Sequence, residues 1–379
     1  MRCRIILSSF FLFLLALLES EAWLACPLQK TCVRRDTTSL DGASFRGRDI
    51  PYVETYEEQQ LRFIWEKNPF FSAQNFLTQV LSKDSSSTSV PQLRRLTEFT
   101  STTTHSNLFA PLYDHTSKEP LEVGPYDKDK KRHFLLTIAY RGSDFCGWQR
   151  QLDHPHGTPA VQQVLEDWLQ ELNGDKKVDV RVSGRTDAGV HAIGQVGRFR
   201  TFQELEVDDV DRHMQNLPSD SLRVTSVQRV SRAFHPTFGA TCRAYVYMID
   251  AWSDSMTEPL NALNELLQTL EGKELDYIAL SYGRIKTQDS LCTLYHARAS
   301  LVEDTITGRQ SVCIELVGKR FLRRMVRLLV ATALRLALQQ KQPSADALLD
   351  LIKTHDRLRI LSPAPPDGLM FVGARFEKL

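Results

Sequence analysis

Hydrophobic positions downstream of residue 130 switch repeatedly between a period of two and a period near 3.6, and each switch marks an element. Phe134–Tyr140 is apolar and β-prone and predicts a strand. Val161, Val164, Leu165, Trp168, Leu169 and Leu172 recur at helical spacing, with Thr158 and Pro159 as the expected cap and first residue and Gly174 as the stop. Val178, Val180 and Val182 alternate, as do the apolar positions from Ile193 through Val196 to Phe199, so two strands flank a loop around 183–192. A polar helix over Val207–Gln215 and a strand over Leu222–Val230 follow, then a strand carrying Tyr245 and Tyr247 on one face. Leucine spacing predicts a helix over Leu260–Leu270, with strands over Tyr295–Val302 and Val312–Val317, a long apolar helix to about Leu338 and a last strand to Phe376. Upstream, residues 50–83 space aromatic and apolar groups loosely as one or two amphipathic helices, to which the sequence attaches no function. Strands interleaved with helices indicate a mixed α/β chain.

Composition changes this picture little. At 379 residues the chain has room for one large domain or two ordinary ones, and 42% hydrophobic and 25% charged residues are ordinary for a globular protein. A net charge of +1 excludes nothing, since basic residues can be gathered in one place. The N-terminus adds more. Arg2 and Arg4 precede an apolar run, Ile5–Leu18, broken only by Ser8 and Ser9 and followed by Glu19 and Glu21, which has the form of a signal peptide ending near Ala22 and Trp23. The run is short for a membrane span, so an uncleaved anchor is the weaker reading. Cys26–Arg48 is basic and rich in Ser and Thr. Signal peptide plus transit-like segment resembles the two-part presequence that directs proteins to secondary plastids, with the mitochondrion or secretory pathway as alternatives. Residues 83–106 are dominated by Ser, Thr and charge and read as a linker, and 128–132 form a basic run. Of seven cysteines, three lie in the leader and Cys146, Cys242, Cys292 and Cys313 are scattered without metal or redox spacing, as expected of buried thiols. The expected organisation is therefore 1–22 signal peptide, 23–130 transit-like segment and extension, 131–251 a first half and 252–379 a second.

The chemistry concentrates in Ser183-Gly184-Arg185-Thr186-Asp187-Ala188-Gly189-Val190-His191-Ala192. It places one carboxylate in a loop between two strands, with Gly184 and Gly189 free to turn the backbone sharply. Asp and Gly are also ordinary turn residues, so Asp-Ala-Gly alone means little. A second cluster lies at the start of the long apolar helix, where Arg320, Arg324 and Arg327 fall on one face. Cations at a helix N-terminus oppose its dipole, so an anion is expected beside them, either a carboxylate such as Asp187 or phosphates.

The string Gly184–His191, continued by Gly194-Gln195-Val196, resembles the active-site signature of the TruA family of tRNA pseudouridine synthases. Four further stretches resemble the same family in order: Gly147-Trp148-Gln149-Arg150-Gln151; Arg243, Tyr245 and Tyr247; Phe321–Arg327; and Ala364-Pro365-Pro366-Asp367-Gly368-Leu369. Arg141 departs from it, standing where the family usually has Asp. The resemblance implies the pseudouridine synthase fold, two ferredoxin-like halves sharing one antiparallel-dominated mixed sheet. It implies isomerisation of uridine in the anticodon stem-loop of tRNA, at positions 38–40. Asp187 is then the catalytic aspartate and Arg327 its partner. Tyr245 stacks on the target base and helps remove the ring proton, and Arg185 fills the space left by the base or grips phosphate. Arg243, Arg320 and Arg324 are further candidates for RNA contact. Whether Asp187 attacks the sugar, attacks the ring or removes a sugar proton is left open. The resemblance implies tRNA as partner, a homodimer, no metal or organic cofactor, and no lasting membrane association once the leader is removed. Two other classes stay in view: a non-catalytic RNA-binding protein or tRNA chaperone on the same scaffold, and a secreted or tethered interaction protein suggested by the leader alone.

Overall fold

The computed structural model describes residues 56–68, 70–81, 131–151, 157–250, 257–283, 290–303, 310–339 and 343–376. The signal peptide, the transit-like segment, the Ser/Thr-rich linker and the first three residues of the basic run lie outside the described residues. Among those described, no helix is long and apolar enough to cross a membrane.

In chain order the elements are α1 Tyr56–Lys67, α2 Phe71–Leu81, β1 Arg132–Tyr140, α3 Val161–Leu172, β2 Arg181–Val182, β3 His191–Thr201, α4 Val207–Gln215, β4 Leu222–Arg229 and β5 Ala240–Ile249. The remainder are α5 Thr257–Gln268, β6 Glu274–Asp276, β7 Leu291–Glu303, β8 Gln310–Gly318, α6 Met325–Ala337, α7 Ala347–Lys353 and β9 Leu369–Phe376. The strands form one mixed sheet in the order β4-β1-β3-β9-β5-β8-β7-β6, with β2 paired to β3. Every strand pairing is antiparallel except β3 with β9, which meet in parallel only at His191↔Met370 and Ala192↔Phe371. The antiparallel-dominated mixed sheet expected from the sequence is therefore present. The last strand returns to lie between β3 and β5, so the chain's C-terminal segment completes the centre of the sheet.

Both faces of the sheet are buried, which is why β1 and β8 read as nearly unbroken apolar runs. On one face Phe134, Leu136, Ile138, Tyr245, Tyr247 and Phe371 join a core with side chains of α1, α3, α4, α5, α6 and α7. On the other, Ala139, Ile193, Val246, Met248, Met370 and Val372 meet Ala73, Leu77, Val80 and Leu81 of α2. The helices upstream of residue 83 are thus part of the body, a placement that loose periodicity did not disclose.

Two local expectations are corrected. Helix α3 begins at Val161 behind Ala160, with no side-chain cap, so Thr158 and Pro159 lie outside it. The Pro159 carbonyl instead accepts from Cys146 N at 3.1 Å, while Val161 N donates to Gly147 O at 3.1 Å and Gln162 N to Trp148 O at 3.0 Å. The segment before α3 is thereby held extended against residues 146–148. The alternation at 178–182 yields a strand only at Arg181–Val182, because the register with β3 covers Arg181↔Arg198 and Val182↔Gly197 alone.

Candidate active site

The Asp187 loop hangs between β2 and β3 and is tied from below. Ser183 N continues the β3 pairing by donating to Val196 O at 2.9 Å, and Ser183 Oγ donates to Gln195 Oε1 at 2.8 Å. Gln195 Nε2 donates to Gly184 O at 2.7 Å, and the hydroxyls of Tyr140 and Thr186 share a hydrogen bond of 2.8 Å. These groups are buried, so each bond also avoids the cost of an unpaired polar atom. Burial pushes the Tyr140 phenol up to about 12, which keeps it protonated. The turn closes with Val190 N donating to Asp187 O at 3.2 Å, and Gly189 takes φ +81°.

Gly147 supports the loop from beneath. Its φ is +106°, and a Cβ there would sit 3.1 Å from both Ala188 N and Thr186 O. Only glycine combines that backbone angle with so close an approach. Gly147→Ala is expected to destabilise the protein by about 1–3 kcal/mol and to displace the Asp187 loop. A lowered melting temperature together with lost activity in the soluble fraction would bear this out; a wild-type melting curve would not.

His191, at the end of the matched string, fastens the loop sideways. Its Nδ1 accepts from Gly142 N at 3.0 Å and its Nε2 donates to Asp367 O at 3.0 Å, which fixes the neutral Nε2–H tautomer. Burial pushes its pKa down, in agreement with that tautomer. His133 on β1 is buried too, and burial together with Arg198, Arg200, Arg232 and Lys131 lowers it to about 4. A histidine depressed on folding takes up its proton more readily when unfolded, so stability declines as pH falls below the ordinary 6.5. For His133 the decline runs from 6.5 to about 4. Thermal melts across this range should show the decline, and His133→Leu should flatten it.

Above the loop the carboxylate meets two cations. Asp187 Oδ2 lies 3.7 Å from Arg327 Nη1 and 3.8 Å from Arg324 Nε. The anion expected beside the arginine cluster is therefore Asp187. The expected helical face is corrected, however, because α6 begins at Met325 and only Arg327 lies within it. Arg324 caps the helix in the left-handed region, φ 58°, which turns its guanidinium back toward the loop. That guanidinium lies 3.9 Å from the ring centroid of Tyr282, a cation–π contact. Arg327 Nε donates to Ala364 O at 2.5 Å, and Ala364 N donates back to Arg327 O at 3.1 Å. The 364–368 segment thereby holds both Arg327 and His191.

Tyr245 on β5 lines the same cleft, facing Leu316 on one side of the sheet register and Phe371 on the other. Its ring stands edge-on to Phe321 at 5.0 Å and to Phe371 at 5.1 Å. Burial raises the phenol pKa, and the charge of Asp187 adds to the rise while Arg243 opposes it. Tyr247 supports the site from behind, where its hydroxyl donates to Pro365 O at 3.0 Å beneath the segment that grips Arg327.

The remaining arginines divide. Arg185 is exposed on the cleft wall beside Asp187. Arg320 lines the cleft as well. Arg243 does not present a free guanidinium. It donates to Lys319 O at 2.9 Å, Ser183 O at 3.2 Å, Ala240 O at 3.2 Å and also Thr237 O. It is a clamp joining the Asp187 loop to the segments after β8 and before β5, and its donors are taken by carbonyls instead of phosphates. Arg141 reaches Asp144 at 3.8 Å and Thr78 of α2 at 3.4 Å, so this departure from the family pattern contacts the N-terminal helices.

The cleft holds about 1180 Å³ and is walled by residues 146–151, 179–190, 235–238 and 320–327. That exceeds the room most small ligands need and admits a nucleotide with its neighbours. Among the described residues no cluster of His, Cys, Asp and Glu is arranged to hold a metal ion.

A sequence profile described as tRNA pseudouridine synthase matches residues 136–238 and 268–377. This chain belongs to the tRNA pseudouridine synthase family. It is 31% identical over 259 residues to tRNA pseudouridine synthase A of Thermotoga neapolitana, covering 65% of this chain and 100% of that protein. It is 31% identical over 251 residues to the enzyme of the same name from Geotalea daltonii, at 63% and 97% coverage, and 30% identical over 250 residues to that of a Geobacillus strain, at 63% and 96%. The family match spans the loop of Asp187 and the helix of Arg327, the two elements whose charges meet in the cleft.

Sequence reasoning missed Tyr282, Phe321 and Phe371 as neighbours of the site and assigned no role to Tyr140, Gln195 and His191. Gln195 and His191 lay within the matched string. Nothing local marked Tyr282, which meets Arg324 only through the fold.

Proposed function

We propose that this enzyme converts uridine to pseudouridine in the anticodon stem-loop of tRNA, at positions 38–40, with Asp187 as the catalytic carboxylate. Isomerisation of uridine in tRNA is the activity of the family to which the chain belongs. The observation that carries the site assignment is the meeting of Asp187 with Arg324 and Arg327 in a cleft that also contains Tyr245. The reaction breaks the N-glycosidic bond, turns the ring and rejoins it through carbon, so atoms and charge balance without a co-reactant. A base must first leave its stack, at a cost of a few kcal/mol that is lowest in loops and weak stems. Arg185, exposed beside Asp187, occupies the vacated space or holds phosphate. Two guanidinium groups keep Asp187 charged and aimed, which suits a nucleophile or a base. Tyr245 stacks on the extruded uracil. Its phenol is held protonated, so as it stands it is a poor acceptor for the ring proton.

The two-part leader further supports delivery to a plastid, to be tested by imaging a C-terminally tagged chain and sequencing its mature N-terminus. The substrate reading is tested by mapping pseudouridine in organellar and cytosolic tRNA with and without this protein. Loss at anticodon stem-loop uridines is the expected outcome. Loss elsewhere would refute the site preference, and no change at any uridine would count against the reading as a whole.

A further inference from the structure

The hairpin of α1 and α2 stands upstream of the family match, which begins at residue 136. The Thermotoga relative is covered from end to end by 65% of this chain, a share that the span from 136 to 377 nearly fills. The shared sheet is therefore complete without the hairpin, yet in this chain the hairpin takes part in its packing on both faces. Leu61 and Ile64 of α1 enter the core of the first face, where Trp65 stands edge-on to Tyr247 at 6.0 Å. Ala73, Leu77, Val80 and Leu81 of α2 join the second-face cluster of Ala139, Ile193, Val246, Met248, Met370 and Val372.

Between the helices the chain crosses the end of β5 and is fixed there by polar bonds. Asp250 N donates to Asn68 Oδ1 at 3.2 Å, and Ser72 N donates to Asp250 Oδ2 at 3.2 Å. Ser311 Oγ donates to Asp250 Oδ1 at 2.8 Å, and the Ser72 and Ser311 hydroxyls lie 2.8 Å apart. Asn68, Ser72 and Ser311 are all buried. Withdrawing the hairpin would strand these groups and uncover the apolar second face. A permanent dock explains that arrangement better than a flap in exchange with solvent.

An apolar sheet face must be covered, by more of the same chain or by another. For a sheet lacking the hairpin, a second copy is the cover that needs no added sequence, and it is the homodimer that the family resemblance implies. We propose that in this chain the α1–α2 hairpin takes the place of that second copy, so that the enzyme works as a monomer with its cleft formed by one chain.

The first test is the mass of the full-length protein in solution by light scattering at micromolar concentration. One copy, 43.3 kDa before any leader is removed, is expected, and two copies would overturn the proposal. The second test pins the hairpin with Ser72→Cys and Ser311→Cys, whose hydroxyl oxygens already lie 2.8 Å apart. The oxidised variant should stay monomeric and form pseudouridine at the rate of its reduced form. Activity lost on oxidation and regained on reduction would mean that the hairpin must leave for the enzyme to work, and the proposal would fail. The activity arm rests on the functional reading above and the mass arm does not. An inactive but monomeric wild-type protein would refute that reading and leave the hairpin's role supported.

Discussion

Asp187→Asn is expected to reduce pseudouridine formation by about 10³-fold or more, with folding and tRNA affinity close to wild type. The asymmetry follows from the geometry. The Asp187 side chain is 28% exposed and touches Arg324 and Arg327 only at ion-pair distance, so its charge contributes little to stability. The loop is held instead by Ser183, Gln195, Thr186 and His191, none of which the substitution touches. Thermal melts, a filter-binding titration with tRNA and a quantitative pseudouridine assay separate the three effects. A variant that keeps activity would remove Asp187 from the mechanism, and one that unfolds would contradict the account of how the loop is held.

The second large effect is expected at Arg327. Arg327→Leu removes the cation nearest to Asp187 and also the bond from Nε to Ala364 O, so the rate should fall by about 10²-fold or more. Arg327→Lys keeps a charge but loses the planar fork that serves both partners at once, and it should lie between the wild type and the leucine variant. Because Arg327 also anchors the 364–368 segment, both variants should melt earlier than Asp187→Asn. Equal activity of the lysine and wild-type enzymes would show that charge alone suffices and that the bond to Ala364 does not aim it.

Much of this was legible along the chain because strands and helices announce themselves by period. The Asp187 loop, the helix of Arg327 and the strand of Tyr245 were each placed in the correct kind of element. What periodicity cannot report is the partner on the far side of a face. Arg243 read as a basic residue near the site, and the fold gives its guanidinium to backbone carbonyls of three segments. Arg324 read as one of a helical row, and a left-handed backbone turned it out of that row and onto Tyr282. The amphipathic pattern upstream of residue 83 disclosed two helices but not that they would grip opposite faces of one sheet. Each miss concerns a contact between residues far apart in sequence, for which composition carries no local signal.

The most direct test combines purified protein, one tRNA transcript and buffer, followed over time by pseudouridine mapping. The account predicts conversion at anticodon stem-loop uridines in an RNA of unchanged mass. Transcript that binds in the cleft while every uridine stays uridine would contradict it.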